Sequence, residues 1–174
     1  MVLRIEPIAQ TLKEQKEFHR SSGRETHTIL VTPQGRPFSQ EKARELSRKK
    51  AVLTLICGRY EGFDERLRSL VDEEISGGDF ICMGGEVITM TMIETISRLV
   101  PDVLGNQESA VHESFTQPML EFPQYTRPAS FEGMEVPEEL KSGNHKIIAQ
   151  WREEQALERT KNRRPDLLQC KTKS

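Results

Sequence analysis

The 174-residue chain is poor in the features that mark specialised protein classes. Its cysteines, Cys57, Cys82 and Cys170, are odd in number and far apart, with no C-x-x-C pair, so neither a disulfide framework nor a zinc cage is suggested. No cluster of metal ligands stands out. No apolar run approaches the roughly 18 to 20 residues of a membrane span, and the N-terminus lacks the basic, apolar, small-residue order of a signal peptide. The expectation is a cytoplasmic protein with no membrane partner. Lys and Arg number 25 against 27 Asp and Glu, a net charge of -2, which excludes a chain that holds nucleic acid by bulk charge. Apolar residues make up 35%, and even with the 11 glycines added they fall short of the globular norm of about 45 to 50%. A linker, or surface buried only against a partner, accounts for that shortfall. Neither G-x-G-x-x-G nor G-x-x-x-x-G-K-[ST] occurs, so the phosphate-cradling loops of dinucleotide and triphosphate proteins are absent. There is no internal repeat and no low-complexity tract.

What is present is an alternation of elements. Residues 7–18 predict a helix opened by Pro7, and His27 to Val31 a short β-branched strand stopped by Pro33 and Gly35. Ser39 to Lys50 predicts a polar helix with Ser39 as N-cap, and Ala51 to Cys57 a second apolar strand stopped by Gly58. Strand, helix, strand is the pattern of an α/β unit with parallel strands. Further on, Asp64 to Val71 reads as helical, and Glu74 to Ser76 and Phe80 to Met83 as short extended pieces. Glu86 to Val100 carries Ile88, Met92, Ile96, Leu99 and Val100 at helical spacing before Pro101 stops it. Residues 102–118 are polar and weakly periodic, a linker. Pro118, Pro123, Pro128 and Pro137 then break the chain into turns, and a long helix is expected from about His145 to Lys161, with Ile147, Ile148, Trp151 and Leu157 available for packing. The domains expected are an α/β domain over 1–104, a linker over 105–118 and a small all-helical domain over 119–174.

Two local features point toward function. Six of the 11 glycines (58, 62, 77, 78, 84 and 85) fall within 28 residues, at places where strands should end. Backbone without Cβ approaches a ligand closely, and ligands of such sheets bind outside the carboxyl ends of the strands; tight-turn geometry is the competing explanation. The second feature is the tail. Residues 159–174 carry Arg159, Lys161, Arg163, Arg164, Lys171 and Lys173 against Asp166 alone, net +5. Taken alone this is a solvated helix end or a basic patch.

The run Cys57-Gly58-Arg59-Tyr60-Glu61-Gly62-Phe63-Asp64-Glu65-Arg66, followed by Ser76-Gly77-Gly78-Asp79-Phe80 and Gly84-Gly85-Glu86, closely resembles the bacterial tRNA (guanine-N1)-methyltransferases. Further matches are Pro33-Gln34-Gly35-Arg36, Ser97-Arg98-Leu99-Val100-Pro101, Val103-Leu104-Gly105, Tyr125-Thr126-Arg127-Pro128 and Arg163-Arg164-Pro165. They run in one order along almost the whole chain. There are two departures. The family's chains open with a further strand, helix and glycine-rich loop, so part of the sheet is expected to be missing here. Its linker motif is Asp-Ser-Phe, where this chain has Glu113-Ser114-Phe115, which moves the carboxylate out by one methylene.

The resemblance implies a SPOUT-type parallel sheet with a trefoil knot, S-adenosylmethionine as methyl donor, an obligate homodimer and a helical C-terminal domain that grips tRNA. The cofactor pocket it implies comprises Leu30, Val31, Thr32, Pro33, Gly58, Glu61, Gly77, Gly78, Asp79, Phe80, Ile81, Cys82, Gly84 and Gly85. The reaction it implies is methylation of N1 of the guanosine 3′-adjacent to the anticodon. That nitrogen carries a proton at neutral pH, so its attack on a sulfonium methyl needs a general base, and the charge developing on O6 needs a donor. The resemblance assigns these roles to Glu113 and Arg98. Without it, Arg98 is an ordinary partner for a helix dipole and Glu113 a solvated carboxylate. His112 is a rival base by its ordinary pKa, Cys57 and Cys82 read as buried small apolar groups, and Trp151 as a core anchor. The alternative function is a catalytically impaired fragment that retains only cofactor binding or dimerisation.

Overall fold

A computed structural model describes residues 1–103 and 113–169. The chain divides into two compact units, Met1–Gly105 and Asn106–Ser174. In the first, α1 (Ile5–Ser21), β1 (Glu25–Pro37), α2 (Gln40–Ser47) and β2 (Ala51–Cys57) are followed by a 3-10 helix (Glu65–Leu70), β3 (Glu73–Ser76) and α3 (Glu86–Ser97). The strands form a sheet in the order β2-β1-β3, parallel in both ladders. The seven residues of β2, six of them apolar, end where Gly58 predicts. Helix α2 opens at the expected cap, Ser39 Oγ accepting from the Lys42 amide at 3.2 Å. Helix α1 starts two residues ahead of Pro7, which sits in the first turn where its missing N–H has no intrahelical partner to lose.

The core is built on the two faces of β1. Alternation sends Ile29 and Val31 toward α2 and α3, where they pack with Leu46, Ile75 and Met92, and sends Leu30 the other way onto Leu12 of α1 and Leu67 of the 3-10 helix. Ile29 and Leu30 are 0% and 2% exposed, and burial of each side chain contributes about 1.5 to 3 kcal/mol.

Strand β1 extends past the expected stop at Pro33, because the ladder is interrupted there. Val31 and Arg36 both pair with Ile75, so residues 32–35 loop out and Pro33 lies where no ladder N–H is needed. The bulge packs tightly: a Cβ on Gly35 would stand 2.5 Å from the Ile75 amide nitrogen and 2.6 Å from the Glu74 carbonyl carbon. Neither backbone atom can yield without breaking the register. Gly35→Ala is expected to destabilise the protein by about 3 kcal/mol, the upper end of what overpacking costs, read as a lowered urea midpoint.

Three other elements differ from expectation. Asp64 to Val71 forms a tighter 3-10 helix, headed by Asp64, whose carboxylate accepts from the Arg66 amide at 3.0 Å and from its guanidinium at 2.7 and 2.9 Å. The Arg66 bonds hold the Asp64 carboxyl down at about 2. Phe80 to Met83 is not a strand, since Gly78, at φ 141°, turns the chain away from the sheet after β3. Its side chains face outward, with Ile81 81% and Met83 99% exposed. Helix α3 ends at Ser97, short of Pro101, with Arg98 as C-cap.

The second unit contains α4 (Glu138–Lys141), α5 (His145–Arg163) and α6 (Asp166–Gln169), but it is not all-helical. A hairpin joins β4 (Ser130–Phe131) to β5 (Met134–Glu135) through Glu132 and Gly133, both at positive φ, the backbone a two-residue hairpin turn requires. Asn144 caps α5, its Oδ1 accepting from Lys146 and Ile147. The buried residues of α5 are Ala156 and Thr160. Thr160 pins the preceding segment to the helix: its hydroxyl accepts from the Leu120 amide at 2.9 Å and donates to the Ala156 carbonyl at 2.7 Å. Trp151 is half-buried, tilted against Tyr125 with ring centres 6.2 Å apart. Cys57 is half-buried, whereas Cys82, expected inside, is exposed on the glycine-rich loop. His112, Leu104, Gly105, Cys170, Lys171 and Lys173 lie outside the described residues.

Candidate functional site

A cleft of about 260 Å³ opens where the three parallel strands end. Its walls come from the bulge after Val31, the loop Gly58–Phe63 after β2, and the segment Ser76–Gly85 between β3 and α3, with Ile88 of α3 behind. Of the residues named from the sequence as cofactor contacts, Val31, Thr32, Pro33, Gly58, Glu61, Gly77, Gly78, Phe80, Ile81, Cys82, Gly84 and Gly85 line this cleft. Two do not. Leu30 is in the core, directed toward α1 by strand alternation, and Asp79 is outside the lining.

Glycine shapes the cleft by letting apolar side chains reach the strand ends. A Cβ on Gly77 would meet Ile88 Cδ1 at 2.7 Å, and one on Gly58 would meet the Phe63 ring at 2.5 Å. Phe63 and Ile88 are therefore walls of the cleft, although helical periodicity alone assigns Ile88 to core packing. Loops are tied across the opening by backbone bonds: Gly85 donates to the Gly58 carbonyl at 2.9 Å, and Arg59 bridges to Gly84. Arg59 Nε also donates to Glu86 Oε1 at 2.5 Å. That bond, with a further one from the Glu86 backbone, holds the Glu86 carboxyl below its usual range. Ser76 Oγ accepts from the Gly78 amide and donates to the Gly78 carbonyl, both at 3.1 Å, fixing the turn that leaves β3. Such a cleft has apolar walls and a glycine-rich rim that a ligand can approach closely, suited to a flat heterocycle.

Arg98 and Glu113 belong to different units. Arg98 is half-buried at the C-terminus of α3, its amide donating to the Glu94 carbonyl at 3.1 Å. Glu113 is half-buried in the second unit, where its carbonyl accepts from the Thr116 amide at 3.2 Å in a turn with Phe115 at φ 69°. Glu113 lines a second cleft, of about 390 Å³, formed by residues 113–122 against α5. Nothing in the sequence pattern announces that cleft, because its walls are some 40 residues apart along the chain and meet through the Thr160 bond. Among the described residues no group of three or more His, Cys, Asp or Glu is arranged to hold a metal ion, and no helix is long and apolar enough to cross a membrane.

The sequence pattern of the family described as tRNA (Guanine-1)-methyltransferase TrmD matches residues 1–170. A curated tRNA (guanine-N(1)-)-methyltransferase of Syntrophotalea carbinolica is 53% identical over 97% of this chain and 66% of its own length. Those of Symbiobacterium thermophilum and Staphylococcus haemolyticus are also 53% identical over 97% of the chain, covering 68% and 66% of the relatives. The chain thus spans about two thirds of the length of the curated relatives it matches. At this identity, with the match running through both units, the chain belongs to the tRNA (guanine-1)-methyltransferase family.

Proposed function

We propose that the protein transfers a methyl group from S-adenosylmethionine to N1 of the guanosine 3′-adjacent to the anticodon in tRNA. The observation that carries this reading is the cleft at the carboxyl ends of the parallel strands, formed by the residues that the family motif supplies in three separate stretches. The residues present fit the cofactor. Phe63 and Ile88 give apolar walls for an adenine ring, and Gly58, Gly77, Gly78 and Gly85, without Cβ, let the backbone approach its edges closely. S-adenosylmethionine supplies the electrophilic methyl group. The protein's own task is to ready the nucleophile: Glu113 accepts the N1 proton, and Arg98 donates to O6 as charge develops there. Arginine suits that role because it stays charged and never competes as a base. The fold we propose is the SPOUT sheet with its trefoil knot, working as a homodimer; the apolar side chains Val87, Met90 and Ile93 exposed on α3 suit a subunit interface. For tRNA, the second unit offers Lys161 and Arg163, exposed at the end of α5, as phosphate partners.

Isothermal titration tests the pocket. S-adenosylmethionine or its homocysteine product is expected to bind with measurable heat, and ATP is not, since no phosphate-cradling loop is present. Absence of heat with both sulfur ligands, on protein shown to be folded, would overturn the assignment.

A further inference from the structure

The bulge that lines the strand-end cleft is held by a side chain outside the family's motifs. Arg68, half-buried on the 3-10 helix, reaches three elements at once. Its Nε pairs with Glu65 Oε1 of its own helix at 2.7 Å, Nη1 pairs with Glu74 of β3, and Nη2 donates to Gln34 Oε1 of the bulge at 2.5 Å. The two carboxylates fix the planar fork, so its remaining edge meets Gln34 from one direction. That contact decides the polarity of the Gln34 amide. A guanidinium has five N–H donors and no acceptor, so the amide atom facing it is the oxygen. The Thr32 hydroxyl donates to the same oxygen at 3.1 Å. Nε2 is left on the other arm of an amide that borders the cleft, and among the described residues it meets no acceptor. An unheld glutamine would present oxygen or nitrogen there with little preference.

We propose that Arg68 is a positioning residue for cofactor binding: it holds Gln34 so that the amide NH2 donates to an oxygen of the ligand in the strand-end cleft. The inference rests on the reading of S-adenosylmethionine as ligand given above. That ligand's oxygens belong to the ribose and to the amino-acid carboxylate, and both are acceptors.

The test is a double-mutant cycle on the full chain, read by isothermal titration with S-adenosylhomocysteine. Gln34→Ala is expected to weaken binding by about 2- to 10-fold, the worth of one hydrogen bond. Gln34→Glu should weaken it at least as much, since the carboxylate still pairs with Arg68 but has no donor to offer. Arg68→Met should weaken binding by about twofold or more, the cost of leaving two amide orientations equally populated. In the Gln34→Ala background the same change should have no effect, because the arginine acts through that amide. Circular dichroism checks folding. Should Arg68→Met unfold the protein, the pair Arg68→Met, Glu74→Gln takes its place, since it leaves no carboxylate without its cation. Repeating the cycle with 5′-methylthioadenosine, which lacks the carboxylate, locates the acceptor: the Gln34 loss persists if it is a ribose oxygen and vanishes if it is the carboxylate. Unchanged binding in Gln34→Ala or Gln34→Glu overturns the inference, as does an Arg68→Met loss that is equal in both backgrounds and so merely structural. If the folded, unaltered protein binds neither S-adenosylmethionine nor S-adenosylhomocysteine, the cofactor reading itself falls and the inference with it.

Discussion

Glu113→Gln is expected to slow single-turnover methylation of tRNA by about 100-fold to 10,000-fold, the range for a positioned general base, with cofactor and tRNA affinity retained. The amide is nearly isosteric with the carboxylate and cannot take the N1 proton, so a drop confined to the chemical step isolates proton removal from binding. Glu113→Asp shortens the side chain to the length that the family's usual motif carries. Glu113 sits in a turn closed by the Thr116 amide, with Phe115 in the left-handed region, and its cleft is framed by α5. A backbone set for the longer side chain leaves the shorter one out of reach, so Glu113→Asp should also be slow. His112→Ala should keep its rate. Full activity in Glu113→Gln would remove Glu113 from the mechanism.

Arg98→Ala is expected to lower the single-turnover rate by about 100- to 1000-fold, the loss on deleting one oxyanion donor from a site that excludes water. Arg98 occupies the C-cap of α3, so its replacement also withdraws a cation from the negative end of the helix, at about 0.3 to 1 kcal/mol of stability. Thermal unfolding separates this small term from the catalytic one. Arg98→Lys should recover stability and only part of the rate, since an ammonium lacks the planar fork that fixes direction at O6. With base and donor proposed to act on one transition state, the double variant Arg98→Ala, Glu113→Gln should be little slower than the slower single one. Independent multiplication of the two losses would argue that they serve different steps.

The parts of the fold that could be read from the sequence are those decided locally. Strand β2 is a run of apolar residues ended by Gly58, and α2 begins at a serine whose hydroxyl reaches the third amide beyond it. The parts that could not be read depend on partners distant in sequence. Pro33 reads as the end of a strand, and only the double pairing of Ile75 with Val31 and Arg36 shows the strand resuming beyond it. Phe80 to Met83 is apolar enough to pass for a strand, yet the turn at Gly78 leaves it without a ladder. For the site, glycine clustering marked the strand-end cleft, because close approach of backbone leaves a compositional trace. Leu30 was legible in the motif but strand alternation turns its side chain to the core. The second cleft had no such trace: Phe122 and Arg152 are ordinary residues until the Leu120 amide bonds to Thr160 and brings their segments together.

The proposed reaction is methyl transfer to one nitrogen of one nucleotide. The most direct measurement is nucleoside analysis of tRNA after incubation with the protein and isotopically labelled S-adenosylmethionine, with the labelled position mapped along the tRNA. The expected product is 1-methylguanosine at the position 3′ of the anticodon, and none when that guanosine is replaced by adenosine. Label on another atom or another nucleotide, or cofactor binding without any transfer, would contradict it.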